Sequence, residues 1–220
     1  MSPNMAKRVN TKRLPTRKDE EALYAEGYVS IAGIDEVGRG SLAGPVVAAA
    51  VVLPTNLSLD HFELELIRDS KTLTPVSRIR ADKILRSVAL GIGIGEVSSE
   101  YIDEMGIVPA TQQAMAIALN ALPEQPDHLL VDAMDLKWHG VPCKSIIKGD
   151  LHCTVIAAAS ILAKVYRDEL MTRMDTLYPG YDFRRNKGYG STLHINSLKE
   201  RGPVKIHRRS FNPLRDWLGA

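Results

Sequence analysis

Residues 28–53, YVSIAGIDEVGRGSLAGPVVAAAVVL, decide how the rest of this chain can be interpreted. The first eight residues predict a buried strand that ends on an acid, Asp35. Three glycines and a proline between residues 38 and 45 then interrupt regular structure, so we predict a loop. The run VVAAAVVL that follows is apolar on both faces, which is typical of a central strand covered on both sides. The stretch therefore predicts a buried sheet that carries an acidic residue at a strand end.

Helices and strands alternate through the remainder of the chain. Thr74 followed by Pro75 is a good N-cap and first-turn pair for a helix. Residues 91–99, GIGIGEVSS, alternate as a strand does, with glycines that let a neighbour approach closely. The longest helical pattern covers residues 152–177, and its alanine-rich middle can lie close against a sheet. We therefore predict an α/β fold, a mixed β-sheet flanked by helices, with a small helical C-terminal extension.

Length and composition indicate one globular protein with an ordinary core. The chain has 220 residues, of which 45% are apolar and 25% charged. Two cysteines, 143 and 153, have no metal or redox spacing, which favours reduced thiols in a cytosolic protein. Neither a signal peptide nor an apolar run of membrane-spanning length is present. We therefore expect a cytoplasmic protein with no membrane contact and, because no exposed apolar stretch needs a cover, a monomer.

The net charge of +2 hides an uneven distribution. Residues 1–18 contain six lysines and arginines and no acid, and residues 180–220 contain nine against three acids. Two basic ends around a more acidic middle suggest a polyanionic partner. A solubilising surface explains the same charges equally well.

Four acids follow predicted strands, where side chains from distant parts of an α/β chain converge. They are Asp35, Glu36, Asp132 and Asp150. Two carboxylates within 4 Å repel by roughly 4 kcal/mol at an effective dielectric constant of 20, so a cluster needs protons or cations. Oxygen ligands without histidine or cysteine select Mg²⁺ or Mn²⁺ over zinc, and two such ions suit in-line displacement at phosphorus. The set predicts a divalent-metal-dependent nuclease, although each acid taken alone is better explained as a solvated strand end.

The acid pair and the loop behind it impose a geometric condition. Asp35 and Glu36 are neighbours on a strand and point to opposite faces, so both serve one site only if the strand ends or bulges there. The loop Gly38-Arg39-Gly40 lets backbone groups reach a ligand. Arg39 could bind a phosphate or anchor the loop through an ion pair. The loop has neither the ending of a P-loop nor the spacing of a dinucleotide fingerprint.

These residues make the chain recognisable as similar to a known family. IDEVGRG at 34–40, with LAGPVVAAAV after it, strongly resembles the opening motif of the type 2 ribonucleases H, the ribonuclease HII family. The resemblance extends from residue 31 to residue 211. It continues in order through Asp69-Ser70-Lys71-x-Leu73-Thr74, Asp132, Lys148-Gly149-Asp150, IAAASILAKVYRD at 156–168, KGYGS at 187–191 and HRRSF at 207–211.

The resemblance implies a ribonuclease H-like fold and an endonuclease. Its substrates would be the RNA strand of RNA/DNA hybrids and duplex DNA with embedded ribonucleotides, cut on the 5′ side of the ribonucleotide. Two Mg²⁺ or Mn²⁺ ions would be held by the four carboxylates, and the products would carry 5′-phosphate and 3′-hydroxyl ends. The residues that match the family's catalytic, metal-binding set are Asp35, Glu36, Asp132 and Asp150.

The same resemblance assigns residues to the substrate. Gly38-Arg39-Gly40 would read the ribose 2′-hydroxyl, the group that separates RNA from DNA, and Tyr189 would lie against the sugar at the RNA–DNA junction. Lys71 and Lys164 could contact phosphates near the site or form ion pairs with acids. The basic tail would bind duplex phosphates. The boundaries we expect are a disordered basic arm at 1–18, a catalytic core at 19–178 and a substrate-binding extension at 179–220.

Two departures and three alternatives accompany this interpretation. Ala133 follows Asp132 where family members commonly have glycine, and Asp135 lies close enough to be mistaken for the ligand; we prefer Asp132 because it ends a strand. The related type 3 enzyme usually has an extra N-terminal domain, which the residues before Ile31 are too few to form. A non-catalytic hybrid-binding module predicts the loss of an acid, and a structural metal-binding protein does not need the Tyr189 loop.

Overall fold

The computed structural model describes residues 14–57, 67, 70 and 73–219, and within these it contains five strands and nine helices. The strands are β1 (Ile31–Val37), β2 (Val46–Val52), β3 (Gly91–Val97), β4 (His128–Asp132) and β5 (Cys143–Ile146). The helices are α1 (Lys18–Ala25), α2 (Pro75–Val88), α3 (Ser99–Met105), α4 (Ile107–Asn120), α5 (Gly149–His152), α6 (Thr154–Leu177), α7 (Phe183–Asn186), α8 (Thr192–Arg201) and α9 (Leu214–Leu218).

All five strands belong to one mixed sheet with the order β3-β2-β1-β4-β5. The neighbours β1, β2 and β3 pair antiparallel, whereas β4 pairs parallel to β1 and β5 parallel to β4. Because β1 and β4 are adjacent and parallel, their carboxyl ends reach the same edge of the sheet. This architecture confirms the predicted mixed sheet flanked by helices.

Two helical layers cover the sheet. Helix α6 packs on one face together with α1 and α2, and α4 packs with α3 on the other. The strand β2 between them is buried along its whole length, as its apolar sequence predicted. The alternating glycines of β3 explain the close fit of α4: a Cβ at Gly93 or Gly95 would lie 1.9 Å from a carbonyl oxygen of that helix.

The first described residues lie against the core. The backbone of Thr16 bonds with both His152 and Thr154, and Arg17 donates to the carbonyl oxygens of Pro54 and Leu57. Helix α6 has no capping side chain of its own, and the Glu20 carboxylate accepts the Val155 N–H at 3.0 Å instead. An acid from α1 therefore satisfies an N-terminal donor of the helix that carries much of the site.

The last three helices form a separate apolar cluster against the end of α6. Phe183 and Leu214 are buried there with Met171 of α6 and Leu42 of the loop after β1. Ser191 caps α8 by accepting the His194 N–H, as a capping serine does. The extension thus presses the Tyr189 segment onto the loop behind the acid pair. None of the helices in the described ranges combines the length and apolarity needed to cross a bilayer.

Candidate active site

The sheet brings Asp35 and Asp132 side by side. Ile34 is in register with Val131 across the parallel ladder, so the next residue on each strand is one of these acids. Side chains alternate between the two faces of a strand, and both acids lie on the face that α6 covers. Asp35 is buried and accepts a hydrogen bond from the Ser160 hydroxyl, which lies 3.0 Å from the Ser70 hydroxyl.

No bulge separates Glu36 from Asp35. The register continues regularly from Asp35 through Val37, and β1 ends at Val37, so of the two possibilities the bulge is absent and the strand end lies one residue after Glu36. Glu36 points to the opposite face, but its longer side chain remains close enough to interact electrostatically with Asp132. One carboxylate oxygen lies 3.5 Å from the Arg39 guanidinium, and the other is buried with no hydrogen-bond partner in the described part of the chain.

Asp150 reaches the same edge through a tight backbone path. The Gly149 N–H donates to the Asp132 carboxylate at 2.7 Å, which fixes the start of α5 beside β4, and Asp150 is buried in its first turn. Two residues on this path adopt left-handed conformations, Ala133 at φ 45° and Lys148 at φ 57°. We call the four carboxylates Asp35, Glu36, Asp132 and Asp150 the acid edge.

Burial and mutual repulsion raise the proton affinity of two of these carboxylates, Asp35 and Glu36. Burial is the main cause that holds the pKa of Asp35 well above its ordinary value, and the charges of Glu36 and Asp132 add to it. Burial also raises the pKa of Glu36, Arg39 opposes that rise, and Asp132 reinforces it. The site therefore favours whatever neutralises its carboxylates.

The donor set fits a hard divalent cation. All four groups are carboxylates, and the buried, unpartnered oxygen of Glu36 has a lone pair to give. Across the residues that the structure describes, no three His, Cys, Asp or Glu side chains already stand as a metal cage. A cation bound beside these carboxylates would neutralise them.

The two glycines of the loop have different reasons to be glycine. Gly38 has φ 89°, and a Cβ there would lie 2.2 Å from Nε of Arg167. Gly40 has an ordinary φ, and a Cβ there would meet nothing within 4 Å. The fold thus requires glycine at position 38 but not at position 40. What position 40 leaves open is room on the outer side of the loop, next to the acid edge.

Two buried arginines hold this loop from below. Arg167 donates to the carbonyl oxygens of Ala43, Pro45 and Lys187 and to the Ser41 hydroxyl. It thereby ties the loop to the segment before Tyr189, and its guanidinium lies 5.7 Å from the Tyr189 ring centre.

The second arginine comes from the tail. Arg208 donates to the carbonyl oxygens of Arg39 and Gly44 at 2.8–3.0 Å, and it is fully buried. Arg167 and Arg208 are called the arginine pair below. Their role could not be predicted from the sequence, because arginines in a basic protein suggest phosphate contacts at the surface.

Tyr189 is partly exposed and is positioned through its backbone. Its carbonyl oxygen accepts from Nδ1 of His194 at 2.8 Å. Nε2 of His194 lies 3.0 Å from Nε2 of His207, and Nδ1 of His207 accepts the Val204 N–H at 2.9 Å. These bonds fit one proton arrangement with both rings neutral. His194 itself is fully buried.

The structure says less about the two lysines, Lys71 and Lys164, for which the resemblance suggested phosphate contacts. Lys164 lies on α6, one turn after Ser160, and its ammonium pairs with Asp168 at 2.6 Å. This contact favours the ion-pair alternative over a free phosphate contact. Lys71 lies outside the described residues. Asp135, the competing acid, lines a cavity beside α4 and takes no part in the acid edge.

Comparisons with known proteins agree with this geometry. A family model described as Ribonuclease HII matches residues 32–213. A Ribonuclease HII of Dehalococcoides mccartyi is 48% identical over 204 residues, 93% of this chain and 95% of that protein. One of Chlamydia abortus is 50% identical over 197 residues, 89% of this chain and 90% of the relative.

Solved structures give the same fold. Ribonuclease H2 from Pyrococcus horikoshii matches with a TM-score of 0.68 at 25% identity, over 85% of this chain and 96% of that one. Bst-RNase HIII in complex with Mn²⁺ matches with a TM-score of 0.64 at 19% identity, over 90% of this chain and 72% of that one. The second likeness shows the fold alone.

Proposed function

Because the chain belongs to the ribonuclease HII family, a family of metal-dependent endoribonucleases, we propose that the acid edge is its catalytic centre. The enzyme hydrolyses the RNA strand of RNA/DNA hybrids. The finer proposal is that Asp35, Glu36, Asp132 and Asp150 hold two Mg²⁺ or Mn²⁺ ions, and that the cut falls on the 5′ side of a ribonucleotide, leaving 5′-phosphate and 3′-hydroxyl ends.

One observation carries the assignment of the centre. Asp35 and Asp132 occupy the same level on adjacent parallel strands, and the charge of Asp132 contributes to the raised pKa of Asp35. The Arg39 guanidinium lies 3.5 Å from one Glu36 oxygen, yet burial and the charge of Asp132 still raise the pKa of Glu36, as they raise that of Asp35. An external cation is therefore the natural neutraliser.

The chain's own groups divide the work between binding and orientation. A bound divalent ion supplies charge stabilisation at a phosphoryl oxygen and an acidified water. Ser160 fixes the orientation of Asp35 through its hydroxyl, and the Gly149 N–H fixes Asp132. The four carboxylates lie at the ends of rigid elements, which suits a site that must hold reacting oxygens in line.

Substrate recognition is assigned to the loop and to Tyr189. The N–H groups of Arg39 and Gly40 bond to nothing among the described residues, and the space outside Gly40 is open. In this proposal they bond a ribose oxygen beside the acid edge. Tyr189, 39% exposed, lies across from this loop and offers a face for the sugar at an RNA–DNA junction.

The test uses a DNA duplex that holds one ribonucleotide, with Mg²⁺ or Mn²⁺, and products mapped to the nucleotide. Wild type is expected to cut on the 5′ side of the ribonucleotide. Asp35→Asn should abolish cleavage, whereas the matched change Asp135→Asn, at an acid outside the edge, should leave it intact. Equal loss in both variants would contradict the assignment of the centre. Cleavage only within longer RNA tracts would remove the junction-reading roles, and tight binding with no cleavage would indicate a binding module.

A further inference from the structure

The arginine pair has an unusual set of partners. Arg167 and Arg208 are both fully buried, and neither forms an ion pair with a carboxylate in the described ranges. Their side-chain bonds go to five backbone carbonyl oxygens and one hydroxyl. Burying two cations in this way costs free energy, because each guanidinium loses its hydration and repels the other. Such an arrangement suggests a use beyond stability.

The bond to Arg39 determines where the next N–H points. In a planar trans peptide the C=O and the following N–H point in opposite directions. Arg208 holds the Arg39 carbonyl oxygen inward at 2.8 Å, so the Gly40 N–H is turned outward. That N–H bonds to no residue in the part of the chain the structure describes, and the space beyond Gly40 is open.

Two further hydrogen bonds from Arg208 fix the other end of the loop. Arg208 also grips the Gly44 carbonyl oxygen with Nε at 3.0 Å and Nη2 at 2.8 Å. Both ends of residues 39–44 are therefore attached to one planar guanidinium. A lysine at this position keeps the charge but has a single ammonium head without the fixed fork, so it cannot hold both carbonyls in the same geometry.

We propose that Arg208 is a positioning residue for substrate discrimination: by holding the Arg39 and Gly44 carbonyls it presents the Gly40 N–H to the ribose 2′-oxygen. This inference rests on the proposed role of the loop in reading ribose. Arg208 itself does not touch the substrate. Its removal should weaken the enzyme's distinction between ribose and deoxyribose more than its hold on duplex phosphates.

The experiment compares binding of two duplexes that differ by one 2′-hydroxyl. The dissociation constants for a DNA duplex with one ribonucleotide and for the same all-DNA duplex are measured without divalent ions, so that no cleavage interferes. Arg208→Lys should reduce the preference for the ribonucleotide duplex about five- to tenfold, the size of one hydrogen bond, and change the all-DNA affinity less than about twofold. Arg86→Lys, an arginine-to-lysine change on the exposed part of α2, is the matched control and should change neither.

Equal weakening of both duplexes, or an unchanged preference in folded Arg208→Lys, would overturn the inference. A second measurement needs no variant: the amide proton of Gly40 is followed by NMR in glycine-labelled wild type. It should shift downfield with the ribonucleotide duplex and stay in place with the all-DNA duplex, and an identical response to both contradicts the inference. Because neither measurement uses turnover, a failure of the proposed catalytic centre is seen separately, as missing cleavage by wild type.

Discussion

The acid edge and the arginine pair lie on either side of the same loop and handle like charge in opposite ways. At the acid edge, carboxylates repel one another and leave a buried oxygen unpartnered. At the arginine pair, five carbonyl oxygens and a hydroxyl satisfy the two guanidiniums from inside the protein. The carboxylates of the acid edge need a ligand to neutralise them. The guanidiniums of the arginine pair already have their hydrogen-bond partners inside the protein, and they fix the shape of the loop between the two regions.

Asp132→Asn tests this contrast with the largest expected effect. The amide keeps an oxygen to accept the Gly149 N–H but removes a charge that repels Asp35 and Glu36. Cleavage should fall by about 10³-fold or more. The free energy of unfolding of the metal-free protein should rise by on the order of 1 kcal/mol. Steady-state kinetics and urea unfolding in a chelator measure the two effects. A loss of stability in Asp132→Asn would show that the carboxylate charges of the acid edge do not destabilise the metal-free protein.

The glycines between the two regions sharpen the comparison. Gly38→Ala should destabilise the protein by about 3 kcal/mol, since it adds a clash with Arg167 to a backbone conformation that disfavours a side chain. Gly40→Ala should leave stability unchanged or raise it by up to about 1 kcal/mol, yet lower kcat/KM at least about tenfold. Thermal unfolding and cleavage of the single-ribonucleotide duplex distinguish them. Full activity in Gly40→Ala would show that no substrate backbone comes close to this glycine.

The hydrogen bond between His194 and His207, which lies behind Tyr189, should make the stability of the folded protein depend on pH. Burial, with His194 as a second cause, lowers the pKa of His207 to about 4, below its ordinary value of 6.5. The unfolded state therefore binds the proton more readily, so the stabilising contribution is complete above pH 6.5 and is lost as pH falls towards 4. The loss amounts to about 3 kcal/mol.

His207→Gln is the variant for this test, because its amide N–H can still donate to His194. Urea unfolding of wild type and variant between pH 7 and pH 4 should give a steeper decline for wild type. Parallel curves would place the acid sensitivity outside His207. The carboxylates Asp35 and Glu36 are not its source, because their raised pKa values make the folded state more stable as pH falls.

The fold and the acid edge were largely predictable because their signals are local. Apolar periodicity located β2 and α6. Asp35 and Glu36 lie in the last residues of β1, Asp132 ends β4, and Asp150 lies shortly after β5. The sequence left open whether the strand bulges or ends at Glu36. The structure has no bulge, β1 ends one residue later at Val37, and the charge of Asp132 still raises the pKa of Glu36 from the other face.

The arginine pair was not predictable, for a physical reason. Arg208 contacts the loop from 164 residues away in sequence, and its partners are carbonyl oxygens, which every residue possesses. Nothing in composition or spacing distinguishes an arginine that binds carbonyls from one that binds phosphate. The buried His194–His207 bond was hidden in the same way, since it depends on how the C-terminal extension packs.

Ala133→Gly gives the smallest effect and the most local test of the acid edge. Ala133 follows Asp132 with φ 45°, a conformation that costs an alanine about 1 kcal/mol and a glycine much less. Removing this strain should therefore stabilise the variant by up to about 1 kcal/mol. The greater conformational freedom of glycine in the unfolded state reduces that gain. Urea unfolding measures this change, and cleavage kinetics should stay within twofold of wild type. If stability rises but cleavage falls, the left-handed alanine is what keeps Asp132 beside Asp35, and backbone strain at the acid edge contributes to function.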